Sequence, residues 1–291
     1  MIISHNMSAY NTQRQLSVNQ NGLQKSLAKL SSGMKINVAG DDVAGLAISE
    51  KMRAQIRGLE MASKNALDGL SVIQTGEASL QSTQESLHRL REIAVQAASD
   101  TNIDKIDRTT LQEEVNALLE GIDSIAKSTE FNRQKLIDGS FNDKKFHVGA
   151  NSDQNISVTI RAMDLKGLEL DEGMWIDLGE VTYNENGQPN VFGGILTQEA
   201  ADLAIARIDN AISILSGQRS ELGSIGNGLE HTIDSIGETL HNLRNAETRI
   251  RSTDMSKEMM NFTRYNILIE SAQTSVAQAN QGPERTLQLL R

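Results

Sequence analysis

Apolar residues along this chain recur at alternating steps of three and four, which lines them up as one stripe on a helix. The longest run reads Ala201, Ile205, Ile208, Ile212, Leu215, Arg219, Leu222, Gly226, Leu229, Ile233, Ile236, Leu240, Leu243, Glu247 and Ile250. It holds one phase for about fifty residues, far beyond an ordinary globular helix. Arg219, Gly226 and Glu247 interrupt the stripe, and polar seam residues of this kind cost stability while fixing register or partner number. Gly223, Gly226 and Gly228 each weaken a helix by about 1 kcal/mol relative to Ala, so a local bend is expected there. A second long helix is predicted from about Asp42 to Ala98. A third carries Leu111, Val115, Leu118, Ile122 and Ile125; Thr110 with Glu113 has capping-box spacing and predicts its start. The polar stretch Ser99–Asp107 reads as the turn between them.

Both chain ends carry shorter stripes. The first is Leu16, Gln20, Leu23, Leu27, Leu30 and Met34; the last is Phe262, Tyr265, Ile269, Ala272, Val276 and Ala279. A modest helix with one narrow stripe is marginal in water unless the stripe is covered. Each end is therefore expected to need the other, and neighbouring copies of the chain. Between about Gly139 and Thr197 the period changes to two: Phe146 and Val148, a turn at Gly149–Asp153, then Ile156, Val158 and Ile160 predict a β-hairpin. The rest of that stretch, with Gly173, Trp175, Asn186, Gly187, Pro189, Gly193 and Gly194, reads as loop.

Composition narrows the function classes. The 291 residues include two prolines, no cysteine and 3% aromatics. Disulfides and thiol chemistry are excluded. The aromatic and proline usage suits long helices better than a globular enzyme. Net charge is −10, which argues against nucleic-acid binding, since that needs a basic face. The charge is uneven: Met1–Gly40 holds Arg14, Lys25, Lys29 and Lys35 without an acid, so the acidic excess sits in the middle. No apolar run approaches the ~18 residues of a membrane span, and no Sec-type signal is visible.

Candidate chemistry is sparse. Asp41 and Asp42 beside Gly40 and Gly45 could be paired carboxylates, but a carboxylate at a helix start accepting free backbone N–H groups explains Asp42, and equally Asp254. His5, His88, His147, His231 and His241 lack i,i+4 spacing and there is no His-Glu-x-x-His; neither a nucleophile elbow nor a phosphate-binding loop is present. No cofactor is expected. The helical segment Leu87-His88-Arg89-Leu90-Arg91-Glu92-Ile93-Ala94-Val95-Gln96-Ala97 has a charged face, which solvation explains and protein binding could use.

At this point several motifs together carry a resemblance. Lys29-Leu30-Ser31-Ser32-Gly33-Met34-Lys35-Ile36-Asn37, followed by Ala39-Gly40-Asp41-Asp42-Val43-Ala44-Gly45-Leu46-Ala47-Ile48, closely resembles the N-terminal signature of bacterial flagellins. Gln55-Ile56-Arg57-Gly58-Leu59, Thr129-Glu130-Phe131-Asn132, Leu229-Glu230-His231-Thr232-Ile233, Ala246-Glu247-Thr248-Arg249-Ile250-Arg251 and Ala277-Gln278-Ala279-Asn280-Gln281 extend it. The resemblance implies a mainly α fold: a long-helix coiled-coil bundle formed by the N- and C-terminal segments, with a small β-hairpin and loop excursion in the middle. It implies a terminal coiled-coil core of residues 1–40 with 255–291, a helical bundle of 41–140 with 198–254, and a small region at 141–197. The short middle resembles the compact, Bacillus-like type without large outer domains.

The function implied is that of a structural, non-enzymatic subunit of the swimming filament, outside the cell. Its terminal seam would be Leu16, Leu23, Leu27, Leu30 and Met34 against Phe262, Tyr265, Ile269, Ala272, Val276 and Ala279. Family partners would be other copies of the chain, an export chaperone, the filament cap and the hook-associated junction protein, with export by the flagellar type III apparatus. Arg89, Ile93 and Glu114 match positions read by the vertebrate Toll-like receptor 5. Gly226, Gly228 and Gly282-Pro283-Glu284-Arg285-Thr286 depart from the family pattern. A hook–filament junction protein is the alternative, and a flagellin with a metalloprotease insert has no motif behind it.

Overall fold

The computed structural model describes residues 6–99, 105–171, 174–176 and 193–289, with no side-chain description at 105–106 and 282–289. His5, Gly173, Asn186, Gly187 and Pro189 lie outside the described residues, as do the side chains of Gly282–Thr286. Five helices dominate: α1 (Met7–Ser32), α2 (Val43–Ala97), α3 (Lys105–Ser128), α4 (Gln198–Arg251) and α5 (Met255–Leu289). Two small antiparallel pairs follow α3. In the first, β1 (Glu130–Phe131) meets β2 (Gln134–Lys135). Asn132 and Arg133 between them both have positive φ, 49° and 65°, as a tight two-residue hairpin turn demands. In the second, β3 (Lys144–His147) meets β4 (Asn155–Val158), with Phe146 opposite Ile156. The long-helix reading with a small hairpin in the middle holds; the β1–β2 turn, only two residues per strand, is too short for a period-two pattern to reveal. Among the described residues no helix is long and apolar enough to cross a membrane.

The chain separates into two compact units, Met1–Arg57 with Thr239–Arg291, and Gly58–Glu238. The second is a helical bundle. On α2 the buried positions run Ala62, Ala66, Gly69, Ile73, Gly76, Leu80, Thr83, Leu87, Leu90, Ala94 and Ala97, an uninterrupted three–four alternation. Ala66, Ile73, Leu80, Leu87, Leu90, Ala94 and Ala97 of this run join Val115, Leu119 and Ile122 of α3 and Ala201, Ile208, Leu215, Leu222 and Leu229 of α4 in one core. The hairpin lies on α2 where glycine makes room: a Cβ added at Gly69 would sit 3.2 Å from the Phe146 ring, and one at Gly58 3.0 Å from Ala150. α4 is continuous through Gly223, Gly226 and Gly228.

Polar residues hold the rest of this unit. Gln112, fully buried on α3, donates to the Met174 carbonyl at 3.0 Å and accepts from the Ile195 N–H at 2.8 Å. Asn116, one turn on, donates to the Ile176 carbonyl at 2.8 Å. Gly194, at φ 60°, packs so closely on Gln112 that a Cβ would strike its side-chain oxygen. Gln218, also buried, accepts from the Arg161 N–H. Its neighbour Arg219, at the interrupted seam position, donates to Gln84 and approaches Glu77 at 3.7 Å.

One sequence expectation is corrected here. α3 begins at Lys105, so Thr110 stands inside the helix and not at its cap. The preceding residues contain no helix breaker, and Asp107 in the first turn suits the positive end of the helix dipole. Asp42 is different: it precedes α2 and its Oδ1 accepts the Gly45 N–H at 2.9 Å. Asp254 precedes α5 and accepts from Ser256 and Lys257 at 3.0 and 3.1 Å. Asp41 serves the loop instead: the backbone N–H groups of Asn37 and Val38 donate to it at 3.1 and 3.2 Å and hold its carboxyl below the usual range. Among the described residues no cluster of His, Asp and Glu could hold a metal ion.

Gly223 and Gly228 have open space where a side chain would go. Replacing each by Ala should raise the stability of the bundle by about 0.5–1 kcal/mol, because the unfolded chain loses freedom it no longer has to give up. Urea denaturation followed by circular dichroism measures this, and an unchanged midpoint would mean that the glycines stand in a conformation other than a regular helix.

Candidate functional site: the terminal helix pair and a charged ridge

In the unit of the chain ends, α1 and α5 pack along each other. Asn6 opens α1 by accepting the Ala9 N–H, and its amide donates across to the Ala279 carbonyl at 2.8 Å. Gly33 closes α1 at φ 68°, a left-handed position that glycine takes without strain. The less exposed positions of α1 are Thr12, Leu16, Asn19, Leu23, Ser26 and Leu30, and those of α5 are Glu258, Phe262, Tyr265, Ile269, Ala272, Val276 and Ala279. Met34 follows α1 and is half-buried.

The α1 seam differs from the apolar reading at two places, with Asn19 standing for the exposed Gln20 and Ser26 for Leu27. Leu27 is 53% exposed, while Asn19 and Ser26 are buried. Counting only apolar residues shifts the phase by one position, because the true contact line runs through two small polar side chains. Ser26 donates to Glu258 at 2.5 Å, an interhelical bond that a Leu could not make. At Gly22 the two helices approach closely. A Cβ placed there would lie 2.6 Å from the Tyr265 ring, inside any tolerable contact.

Below the pair, the chain ends are fastened by Arg251. Its guanidinium is nearly buried, donates to Glu50 at 2.6 Å and to the Met34 sulfur at 3.3 Å. The Lys35 N–H donates to the Arg251 carbonyl at 2.6 Å and the Thr253 N–H to the Gly33 carbonyl at 3.1 Å. Arg251 holds the Glu50 carboxyl below the usual glutamate range. Arg53 adds a pair to Glu50 at 3.3 Å and reaches Glu247 at 4.0 Å. These contacts lie within the compact unit of Met1–Arg57 with Thr239–Arg291.

Away from the seam, large apolar side chains stand in solvent: Tyr10, Val18 and Leu27 on α1, Val43 and Ile48 on α2. On α5 a surface groove is lined by Met259, Met260, Thr263, Ile267 and Leu268. One contact stripe is filled and the other faces are bare. Exposed apolar surface on this scale marks an interaction face.

The second candidate is the ridge on α2. Arg89 donates to Glu114 of α3 at 2.8 Å and to Glu92 at 3.0 Å, which holds its charge more firmly than usual. Arg91 pairs with Asp209 of α4 at 2.7 Å. Arg89 and Glu114 are about half exposed. Ile93 is not on that surface: it is fully buried in the core with Leu90 and Ala94, at the edge of the buried stripe of α2. It supports the ridge from beneath.

Comparison with known proteins bears on both features. Residues 3–142 match the bacterial flagellin N-terminal helical region, and residues 205–290 match the bacterial flagellin C-terminal helical region. A flagellin of Bacillus subtilis is 46% identical over all of both chains. A flagellin of Halalkalibacterium halodurans is 45% identical, again over the whole of each. The flagellar filament 33 kDa core protein of Treponema phagedenis is 40% identical over the full length of both. With two family regions in order and full-length identity at this level, the chain belongs to the bacterial flagellin family, in its compact, Bacillus-like form.

Proposed function

We propose that this chain is the structural subunit of a bacterial flagellar filament, acting outside the cell by self-assembly and carrying no catalytic activity. The observation that supports this most is the half-covered terminal helix pair. α1 and α5 each fill one stripe against the other and leave a second apolar face open. Each such side chain buried against a neighbouring copy contributes roughly 1.5–3 kcal/mol. Several per subunit, repeated along a polymer, offset the entropy of ordering the ends. Residues 1–40 with 255–291 form the core layer in this reading, and 41–140 with 198–254 the layer around it. Contacts that do not close on themselves extend into a filament.

Finer steps belong to the same proposal. Export is by the type III apparatus, with an export chaperone on the C-terminal segment, growth under the filament cap, and docking onto the hook-associated junction protein. The ridge of Arg89 and Glu114 is the surface offered to Toll-like receptor 5, with Ile93 shaping it from below.

Three outcomes are expected. A chain lacking residues 1–40 and 255–291 should stay soluble and helical and form no filaments by electron microscopy; filaments from that fragment would end the proposal. Gly22→Ala should loosen the terminal pair and lower polymerisation at least tenfold in sedimentation assays, whereas Gly217→Ala, where space is open, should not. Acid should weaken the terminal unit. Glu50 has a lowered folded pKa, so its contribution is fully present above the ordinary glutamate range and is lost as pH falls through the depressed value. Glu50→Gln should flatten that part of the pH profile of thermal stability.

A further inference from the structure

Ten methionines are spread along the chain, but their exposure is not. Met7 is 64% exposed, Met255 48%, Met259 57% and Met260 66%, all in the unit of the chain ends. Met163 and Met174 are each 1% exposed in the bundle core, and the only other strongly exposed methionine among the described residues is Met61. Met255 and Met259 are four residues apart and so share a face of α5. Met259 and Met260 line the apolar groove on the side away from Phe262 and Tyr265. The groove thus offers two polarisable thioethers beside Ile267 and Leu268, with no hydrogen bond drawn to either sulfur.

We propose that these methionines are an oxidation site, open in the free subunit and closed in the filament, whose conversion to sulfoxide makes the subunit unable to assemble. This rests on the reading that the bare faces of α1 and α5 are buried in the polymer. The oxidant class is a hydroperoxide. The sulfur lone pair attacks one peroxide oxygen, the O–O bond breaks as the S–O bond forms, and after a proton shift the leaving oxygen departs as water from hydrogen peroxide or as the alcohol from an organic hydroperoxide. Sulfur loses two electrons and the peroxide gains them. The product is a polar, strongly hydrogen-bond-accepting group where the assembled state supplies apolar neighbours, so its burial carries a desolvation cost that the thioether lacks. The buried pair Met163 and Met174 stays reduced, which leaves the bundle intact. Reduction by a methionine sulfoxide reductase returns the original surface.

The test uses the full-length chain. Dilute subunit and preformed filament are treated with hydrogen peroxide, digested and mapped by mass spectrometry, and the subunit is then set to polymerise. Met7, Met255, Met259 and Met260 should gain oxygen in the subunit at least tenfold faster than in the filament, with Met163 and Met174 unmodified in both. Oxidised subunit should polymerise at least tenfold less than untreated, with unchanged helical content. The variant with Met7, Met255, Met259 and Met260 all replaced by Leu should polymerise after peroxide as before it. Should that variant not assemble even untreated, reductase treatment of oxidised wild-type subunit gives the same decision by restoring filaments. Equal oxidation of subunit and filament, or unimpaired assembly of oxidised subunit, overturns this inference and leaves the filament reading standing. Failure of untreated subunit to polymerise removes both.

Discussion

The architecture of the chain ends turns on a single contact: Tyr265 lying against the bare backbone of Gly22. Helix pairs usually meet side chain to side chain, at a spacing set by the residues between them. Here a glycine admits an aromatic ring against the helix itself, and Asn19 and Ser26 on either side keep the line narrow. The two helices can therefore come close along a thin strip. Closeness on one strip leaves the remaining faces uncovered, and those faces carry Tyr10, Val18, Leu27, Met259 and Met260. The pair is at once defined and incomplete.

Arg251 keeps that incomplete pair attached. It is a charge taken almost out of water, and such a group is tolerated only when partners replace its hydration. Glu50 and the Met34 sulfur do so for its two terminal nitrogens, while Nε is buried without a hydrogen-bond partner; the backbone exchange between Gly33–Lys35 and Arg251–Thr253 holds the chain beside it. The end of α1 and the start of α5 meet at this one knot, and the C-cap glycine and the Asp254 cap fix where each helix stops and begins.

Much of this was legible in the sequence. Heptad spacing on α4 and α3 identified those helices, and alternation of Phe146, Val148, Ile156 and Val158 identified the hairpin. The α5 seam from Phe262 to Ala279 followed directly, since those residues carry the apolar stripe, whereas Glu258, which accepts from Ser26, lay outside it. The α1 seam did not, because its buried line includes Asn19 and Ser26, whose chemistry gives no apolar signal. The burial of Ile93 was not legible for a related reason: motif similarity matches a residue to a position and does not say which way its side chain points. Thr110 looked like a cap because its spacing to Glu113 is right, but a capping motif within a sequence that continues to favour helix upstream does not start one. Gln112, Asn116 and Gln218 were invisible, since their roles depend on carbonyls and amides brought from about sixty residues away or more.

The Gln112–Asn116 grip has a wider consequence. It pins the backbone at Met174–Ile176 and at Ile195 to the same helix, with Gly194 turned to let the strands of chain pass. When both margins of a segment are anchored to one rigid element, the distance between them no longer depends on how many residues the segment holds. The loop-closure cost rises only slowly with length. Evolution can then lengthen or shorten the chain between those margins without disturbing the heptads that carry them, so that the inserted stretch and its scaffold vary independently.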